Sequence, residues 1–272
     1  MTEAFPLDDA AIEPPPLLLE RDERGVFTAT LNRPQAFNAL SAGLLTALQA
    51  ALDRVAADPG ARALVLAATG KAFCAGHDLK EMRAQPAQLV YERLFAQCSR
   101  VMLSIQQLPV PVIAQVQGIA TAAGCQLVAQ CDLAVAVCEA RFAVSGVNLG
   151  LFCSTPSVAL SRNLSRKAAF EMLVTGDFIS ADEALAKGLL NRVVAAGALQ
   201  AEVAKLVDQI VAKPRVALAM GKALFYRQLE SGIAAAYDDA VHTMACNMMD
   251  HSALEGVQAF IDKRPPDWSQ DR

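Results

Sequence analysis

The chain has 272 residues, a formal net charge of −4, 54% hydrophobic residues and 19% charged ones. That size holds one large core, or a core with an appendage. The acidic balance, with no Lys/Arg block, excludes an electrostatic footprint for nucleic acid, and the apolar runs stop well short of a membrane span. So small a charged share points to apolar surface buried between subunits. The first sixteen residues carry Glu3, Asp8, Asp9 and Glu13, no Arg, and the run Pro14-Pro15-Pro16. A transit peptide is basic and acid-poor, so residues 1–16 read as a disordered tail on a cytoplasmic protein. Leu17 to Glu20 and Val26 to Leu31 form a predicted hairpin turning at Arg24-Gly25. Asn32-Arg33-Pro34-Gln35 ends it. Ser41 caps a predicted helix with the stripe Leu44, Leu45, Leu48, Leu52 and Val55, stopped by Asp58-Pro59-Gly60.

Ala63 to Ala68 reads as a buried strand running into a loop, Thr69 to Leu79, that holds two glycines. A long mixed helix from about Pro86 to Gln107 leads to Val110–Val116, an apolar, β-branched strand. Gly118 breaks that strand, and Ile119 to Ala129 carries no charge on any face, which predicts a wholly buried helix. The small residues Gly118, Ala120, Thr121, Ala122, Ala123 and Gly124 stand at its start. Unpaired N–H groups of a helix start can stabilise a carbonyl oxygen that turns negative in a reaction. The same small residues also suit a tight crossover that only permits packing. Strands follow at Leu133–Cys138 and Phe142–Val144, then loops at 145–148 and 150–156. Ser180 with Glu183 is a capping box for a helix closed by Gly188, and Ser252 with Glu255 repeats the pattern. Beyond Val194 every segment reads as helical, with the stripe Ile233, Ala236, Tyr237, Ala240, Val241 and Met244.

Strands alternating with helices to about residue 195, then helices alone, predict an α/β core over 17–195 and a helical appendage over 196–272. The loops Asn32–Asn38, Thr69–Leu79 and Gly118–Gly124 follow core strands, where ligands gather in open α/β folds. Neither GxGxxG nor GxxxxGK[ST] is present. The seven cysteines (Cys74, Cys98, Cys125, Cys131, Cys138, Cys153 and Cys246) are scattered without any CxxC pair. Neither a disulfide framework nor a metal site is indicated, and buried reduced thiols fit a reducing compartment.

Five pieces in order carry a resemblance: LNRPQAFNAL at 31–40, KAFCAGHDLKEM at 71–82, VQGIATAAGCQLVAQCD at 116–132, TGDFISADEALAKGLLNRVV at 175–194 and AFIDKRPPDW at 259–268. From about Leu17 to Trp268 the chain resembles the crotonase, or enoyl-CoA hydratase/isomerase, family. That resemblance implies a spiral of β-β-α turns that trimerises through its C-terminal helices, as a homotrimer or a dimer of trimers. It implies a coenzyme A thioester as substrate and no permanently bound cofactor. The thioester oxygen would rest between the backbone N–H groups of His77 and Ala123. CoA contacts would fall on Gln35, Ala36 and Phe37, on Ala75 and Gly124, and on Asp78, Leu79 and Lys80 around the adenine. Phe260 and Lys263, from the same tail or a neighbouring subunit, would meet the phosphate end. Ordinary solvated surface explains both lysines equally. One N–H donor to such an oxyanion contributes about 2.7–4 kcal/mol.

The chain departs from the family pattern at the two glutamates of a hydratase, whose positions hold Gln126 and Gly146. Neither residue exchanges a proton near neutral pH, and each lost general acid–base group is worth roughly 10²–10⁴-fold. Possible substitutes are the His77 imidazole, Asn148 and Ser145 beside the missing glutamate, Ser154, and the thiols of Cys125 and Cys153, each with a plain structural explanation too. Two readings stand open: an acyl-CoA enzyme working mainly by enolate stabilisation, in decarboxylation, isomerisation or slow hydration, and a catalytically silent acyl-CoA binding protein.

Overall fold

The computed structural model describes residues 14–268. The first strands, β1 (Leu17–Arg21) and β2 (Val26–Leu31), form the expected antiparallel hairpin. Helix α1 (Ala42–Ala57) is capped by Ser41, whose Oγ accepts from the Leu44 N–H at 3.2 Å. The predicted stripe is its buried face; Leu44, Leu45 and Val55 are fully inside, each contributing about 1.5–3 kcal/mol. Next come β3 (Ala63–Ala68), β4 (Ala72–Cys74), α2 (Leu79–Ala84), α3 (Gln88–Gln107), β5 (Val112–Val116) and β6 (Ile119–Thr121). Then follow α4 (Ala123–Gln130), β7 (Leu133–Val137), β8 (Arg141–Ala143), α5 (Ser154–Asn163), α6 (Arg166–Thr175), β9 (Ile179–Ser180), α7 (Ala181–Ala186) and β10 (Arg192–Val194). Helices α8 (Leu199–Val211), α9 (Arg215–Leu229), α10 (Ile233–Met248) and α11 (His251–Ile261) end the described chain.

Two sheets result. One has the order β1-β2-β3-β5-β7-β10, parallel from β2 onward; the other is β4-β6-β8-β9, antiparallel only at β8 with β9. Each turn of the spiral lays a long strand in the first sheet and a short one in the second: β3 then β4, β5 then β6, β7 then β8. Both faces of the long sheet are covered, so its strands are unbroken apolar runs such as ALVLAA in β3. The second sheet lies at the carboxyl ends of the first, where the three candidate loops leave it. Gly118 permits the β5–β6 corner, because a β-carbon there would lie 2.1 Å from the Lys71 carbonyl oxygen.

Three sequence expectations change. The stretch from Ile119 is not one helix: β6 occupies its first three residues, since Ile119–Thr121 pairs with β4 and β8. The 69–79 loop likewise contains β4. The second capping box does not form. Asp250 caps α11, Ser252 is a buried residue within it, and Glu255 pairs with Arg264. The tail expected over residues 1–16 lies mostly outside the described residues, but the Asn32 N–H and Nδ2 donate to the carbonyls of Pro16 and Pro15.

The buried core extends through α8, with Leu199, Val203, Leu206 and Val207 in it. Helix α9 stands off that core and docks through Lys222. Its Nζ donates to the carbonyls of Ile105 and Val110 and to Asp132 at 2.7 Å, and Asp132 also accepts from Tyr226.

Candidate functional site

Asn38 ties the first candidate loop to the second. It is fully buried, its Nδ2 donates to the carbonyls of Thr69 and Ala72 at 2.8 and 2.9 Å, and its Oδ1 accepts from the Arg33 N–H. Phe37 and Asn38 both adopt left-handed backbone, φ 50° and 55°, a conformation Asn tolerates well. Beyond them the loops run side by side. The Ala75 N–H donates to Phe37, the Leu40 N–H to Gly76 at 2.7 Å, and the Asp78 N–H to Leu40 at 3.2 Å. In this parallel bridge the residues flanking His77 satisfy Leu40, so the His77 N–H turns to the other side.

That other side is the start of α4. Gly76 has φ 90°, and a β-carbon on it would lie 2.8 Å from the Ala122 β-carbon and 3.4 Å from the Ala123 nitrogen. Gly124 seats the helix on β4, its α-carbon so close that a methyl would come within 2.1 Å of the Cys74 carbonyl oxygen. Ala122 precedes the helix at φ 51°, ψ −121°, a strained position for any residue with a side chain. It is held there by its N–H to Ala143 and its carbonyl to Gln126. Among the described residues, the N–H groups of His77, Ala123, Gly124 and Cys125 have no hydrogen-bond acceptor. Unpaired helix-start donors in a buried setting suit a developing negative charge.

The two positions that the resemblance assigns to glutamates carry no carboxylate here. Gln126 is 4% exposed and its Oε1 has no protein partner, an arrangement that native structures usually complete with a water or a bound group. Gly146 cannot accept a side chain in place: a β-carbon would stand 2.5 Å from the Leu151 carbonyl oxygen and 2.7 Å from the Cys153 sulfur. Restoring a glutamate at 146 therefore requires the 145–153 loop to move. The His77 imidazole, which the sequence left free to face solvent, instead packs on Phe95 with ring centres 5.3 Å apart. Both its ring nitrogens are buried without partners. Burial lowers its pKa, against the opposing pull of the Leu40 backbone and the Glu81 charge, which favours the neutral ring.

The other substitutes are engaged elsewhere. Ser145 shares a hydrogen bond with Thr121 at 2.9 Å, and Asn148 Nδ2 donates to the Gly176 carbonyl. Ser154 opens α5 and is exposed, its Oγ directed at the Phe152 carbonyl. Burial raises the thiols of Cys125, to about 12, and Cys153, keeping both protonated at neutral pH. The Asp78 carboxylate caps α2 and pairs with Arg33 at 3.1 Å. Burial alone would raise its pKa, but Arg33 and the α2 amides hold it low.

Of the residues expected to meet CoA, Gln35 and Ala36 lie in a 3-10 turn, Pro34–Ala36, that presents Phe37 57% exposed. Leu79 and Lys80 are exposed at the start of α2 across the bridged loops, and Ala75 and Gly124 border the seam between loop and helix. Among the described residues no hydrogen bond or ion pair brings Phe260 or Lys263 to these loops. In the single chain, α11 rests on α9 and α10 with Phe260 84% exposed. Sequence reasoning passed over Asn38; its signal was a second Asn in the Gly-free loop between β2 and α1. The strain at Ala122 left no trace in the residue types.

The chain matches the model of the enoyl-CoA hydratase/isomerase family over residues 21–271. Enoyl-CoA hydratase domain-containing protein 3, mitochondrial, of Xenopus laevis is 44% identical over 254 residues, covering 93% of this chain and 86% of its own. The Homo sapiens protein of the same name is 44% identical over 247 residues, covering 91% and 82%. A solved enoyl-CoA hydratase from Mycobacterium smegmatis is 69% identical, with a TM-score of 0.93 over 94% of this chain and 100% of that one. The vertebrate names correct the expectation of a cytoplasmic location: those relatives are designated mitochondrial. An acid-rich N-terminus argues against a transit peptide but does not fix a compartment.

Proposed function

We propose, from the premise that this chain belongs to the enoyl-CoA hydratase/isomerase family, that it acts on a coenzyme A thioester held at the seam between His77 and Ala123. Its fold is the crotonase-type ββα spiral that the sequence resemblance implied. The observation that carries the proposal is the set of unpaired main-chain amides at that seam. A thioester oxygen placed there accepts two N–H bonds, and the enolate formed by charge moving onto it is favoured over the ground state. Among the described residues no hydrogen bond or ion pair brings a carboxylate to Gln126 or Gly146, which replace the usual glutamates. The chemistry therefore relies on oxyanion stabilisation, and efficient hydration is not expected. Gln126 orients the acyl group or a water through its amide and moves no proton.

Coenzyme A enters over Gln35, Ala36 and Phe37, with the adenine near Leu79 and Lys80. Asp78 contributes backbone, its carboxylate being taken up in the helix cap. Phe260 and Lys263 arrive from a neighbouring subunit. The apolar side chains of Ile233, Tyr237, Val241 and Met244, all more than two-thirds exposed on α10, support self-association as a trimer or dimer of trimers.

A second reading, a silent acyl-CoA binder, is favoured by the sealed space at Gly146. Turnover separates the two. The purified protein is incubated with crotonyl-CoA and a panel of acyl-CoAs, following enone absorbance and product masses. Slow or selective conversion supports the enzyme, and binding without product supports the silent reading. Hydration at ordinary family rates overturns the reading of Gln126 and Gly146.

A further inference from the structure

A cleft of about 530 Å³ opens away from the candidate site, lined by Arg21, Arg24, Arg62 and Arg215 with Glu23 and Asp208 among its other residues. It lies where the β1–β2 turn, the α1–β3 turn and the α8–α9 junction meet, at the amino ends of β2 and β3. The loops 32–38 and 69–79 leave the opposite ends of those strands, about 20 Å away for six residues of strand. No residue of the proposed thioester site lines the cleft.

Four guanidiniums line the cleft, accompanied by four carboxylates: Glu23 and Asp208 in the lining, Asp58 on Arg21 and Asp22 on Arg24. The forks are also fixed in place. Arg21 Nε donates to Asp58 at 2.9 Å, Arg62 Nη2 to the carbonyls of Val211, the last residue of α8, and of Lys213 beyond it, and Arg215 Nε to the Ala61 carbonyl at 3.1 Å. Among the described residues Arg215 has no carboxylate partner, so its terminal nitrogens keep their donors. Gly60 leaves the Arg21 fork room, since a β-carbon there would lie 2.8 Å from Arg21 Nη2. Arg24 is held by Asp22 and by Asp208, whose side chain is 63% exposed; an ion pair so exposed is readily exchanged for a stronger anion.

We propose that this cleft binds a small, multiply charged phosphate anion of the pyrophosphate or organic diphosphate class. The volume is that of a small-molecule site, within the usual range of about 300–1,000 Å³. Planar forks fixed at one edge match phosphate oxygens two at a time. One carboxylate would leave most of these donors unused, whereas two linked phosphate groups offer oxygens to Arg21 and Arg215 together and displace Asp208 from Arg24. Occupancy would also tie the α8–α9 junction to the two core turns.

Titration calorimetry of the full chain with inorganic pyrophosphate tests this, with inorganic phosphate as the singly linked control. The expected result is saturable binding of pyrophosphate, at least tenfold tighter than phosphate and accompanied by a rise in melting temperature. Arg215→Gln should weaken it tenfold or more, and Arg215→Lys, which keeps the charge and loses the fork, several-fold. Arg21→Gln gives the same reading if Arg215→Gln does not fold. Lys80→Gln with Lys263→Gln should leave it unchanged. No binding overturns the proposal. So does binding that survives Arg215→Gln and Arg21→Gln but is lost with the two lysines, because the anion then sits where CoA phosphates would.

Discussion

Gly124→Ala perturbs the proposed oxyanion site through packing alone. A methyl there would lie 2.1 Å from the Cys74 carbonyl oxygen and 2.7 Å from the carbonyl carbon. Ordinary contact begins near 3.4 Å, so α4 or β4 must give by about 1.3 Å. Neither yields cheaply. Cys74 is fully buried in β4, and every α4 residue from Ala123 to Ala129 is buried. Overpacking of this kind costs about 1–3 kcal/mol. The Ala123 N–H travels with α4, while His77 stays behind with the Leu40 bridge. A misplacement of about 1 Å at a reacting centre costs on the order of 10²-fold in rate. Gly124→Ala should therefore lower the melting temperature and cut acyl-CoA turnover about 10²-fold, while free CoA, which the proposed function places on the 35–37 turn, should bind nearly as before. Calorimetry with free CoA and a non-reacting thioester, beside the turnover assay, reads both effects; in a silent binder the preference for thioester over free CoA is what falls. A variant with wild-type melting temperature and wild-type thioester preference would refute the reasoning.

Two further outcomes follow from buried charge. His77 is held neutral by burial below its ordinary pKa of 6.5, so the unfolded chain takes up a proton that the folded chain refuses as pH falls. Its stabilising contribution is complete above 6.5 and is lost as pH drops below that value; His77→Leu should flatten that part of a urea-denaturation series across pH, and an unchanged slope would refute it. Lys222 and Asp132 are 7% and 14% exposed, so Lys222→Met strands a buried carboxylate and should cost about 3–5 kcal/mol in urea unfolding. A loss under about 1 kcal/mol would mean that the Val112 N–H and the Tyr226 hydroxyl, which donate to Asp132 at 2.6 and 2.7 Å, satisfy it unaided.

Much of the scaffold was legible because the signals are local. The α1 stripe, the Ser41 cap, the Ser180–Glu183 box and the uninterrupted apolar strands each rest on a few neighbouring residues. What failed was non-local. Ile119–Thr121 is apolar enough for either structure, and only its pairing with β4 and β8 makes it a strand. Ser252 and Glu255 have capping-box spacing, but Asp250 two residues earlier offers an acceptor that fits first. At the site, motif order named the residues without their surroundings. Nothing in the string HDL shows that the imidazole turns onto Phe95 while its N–H faces α4. Likewise Gly146 reads as a missing glutamate, whereas in the fold Leu151 and Cys153 fill the space its side chain would need.

Three costs gather within a few residues of the seam: left-handed Phe37 and Asn38, the strained Ala122, and the orphaned Gln126 Oε1. Each is unfavourable for the chain alone, by roughly 1–3 kcal/mol for a strained backbone position or an unpaired buried polar atom. Two of them have a simple alternative, a glycine at 122 or an apolar residue at 126, that would fold without the cost. Such costs concentrate where a bound molecule completes the hydrogen bonding. The seam fits that pattern from both sides. Asn38 and Gly76 press the His77 amide toward α4, and Gly124 draws the Ala123 amide toward β4, leaving donors that only an outside acceptor satisfies. In the proposed function a thioester oxygen is that acceptor, and the missing carboxylates limit which reaction would follow without emptying the site.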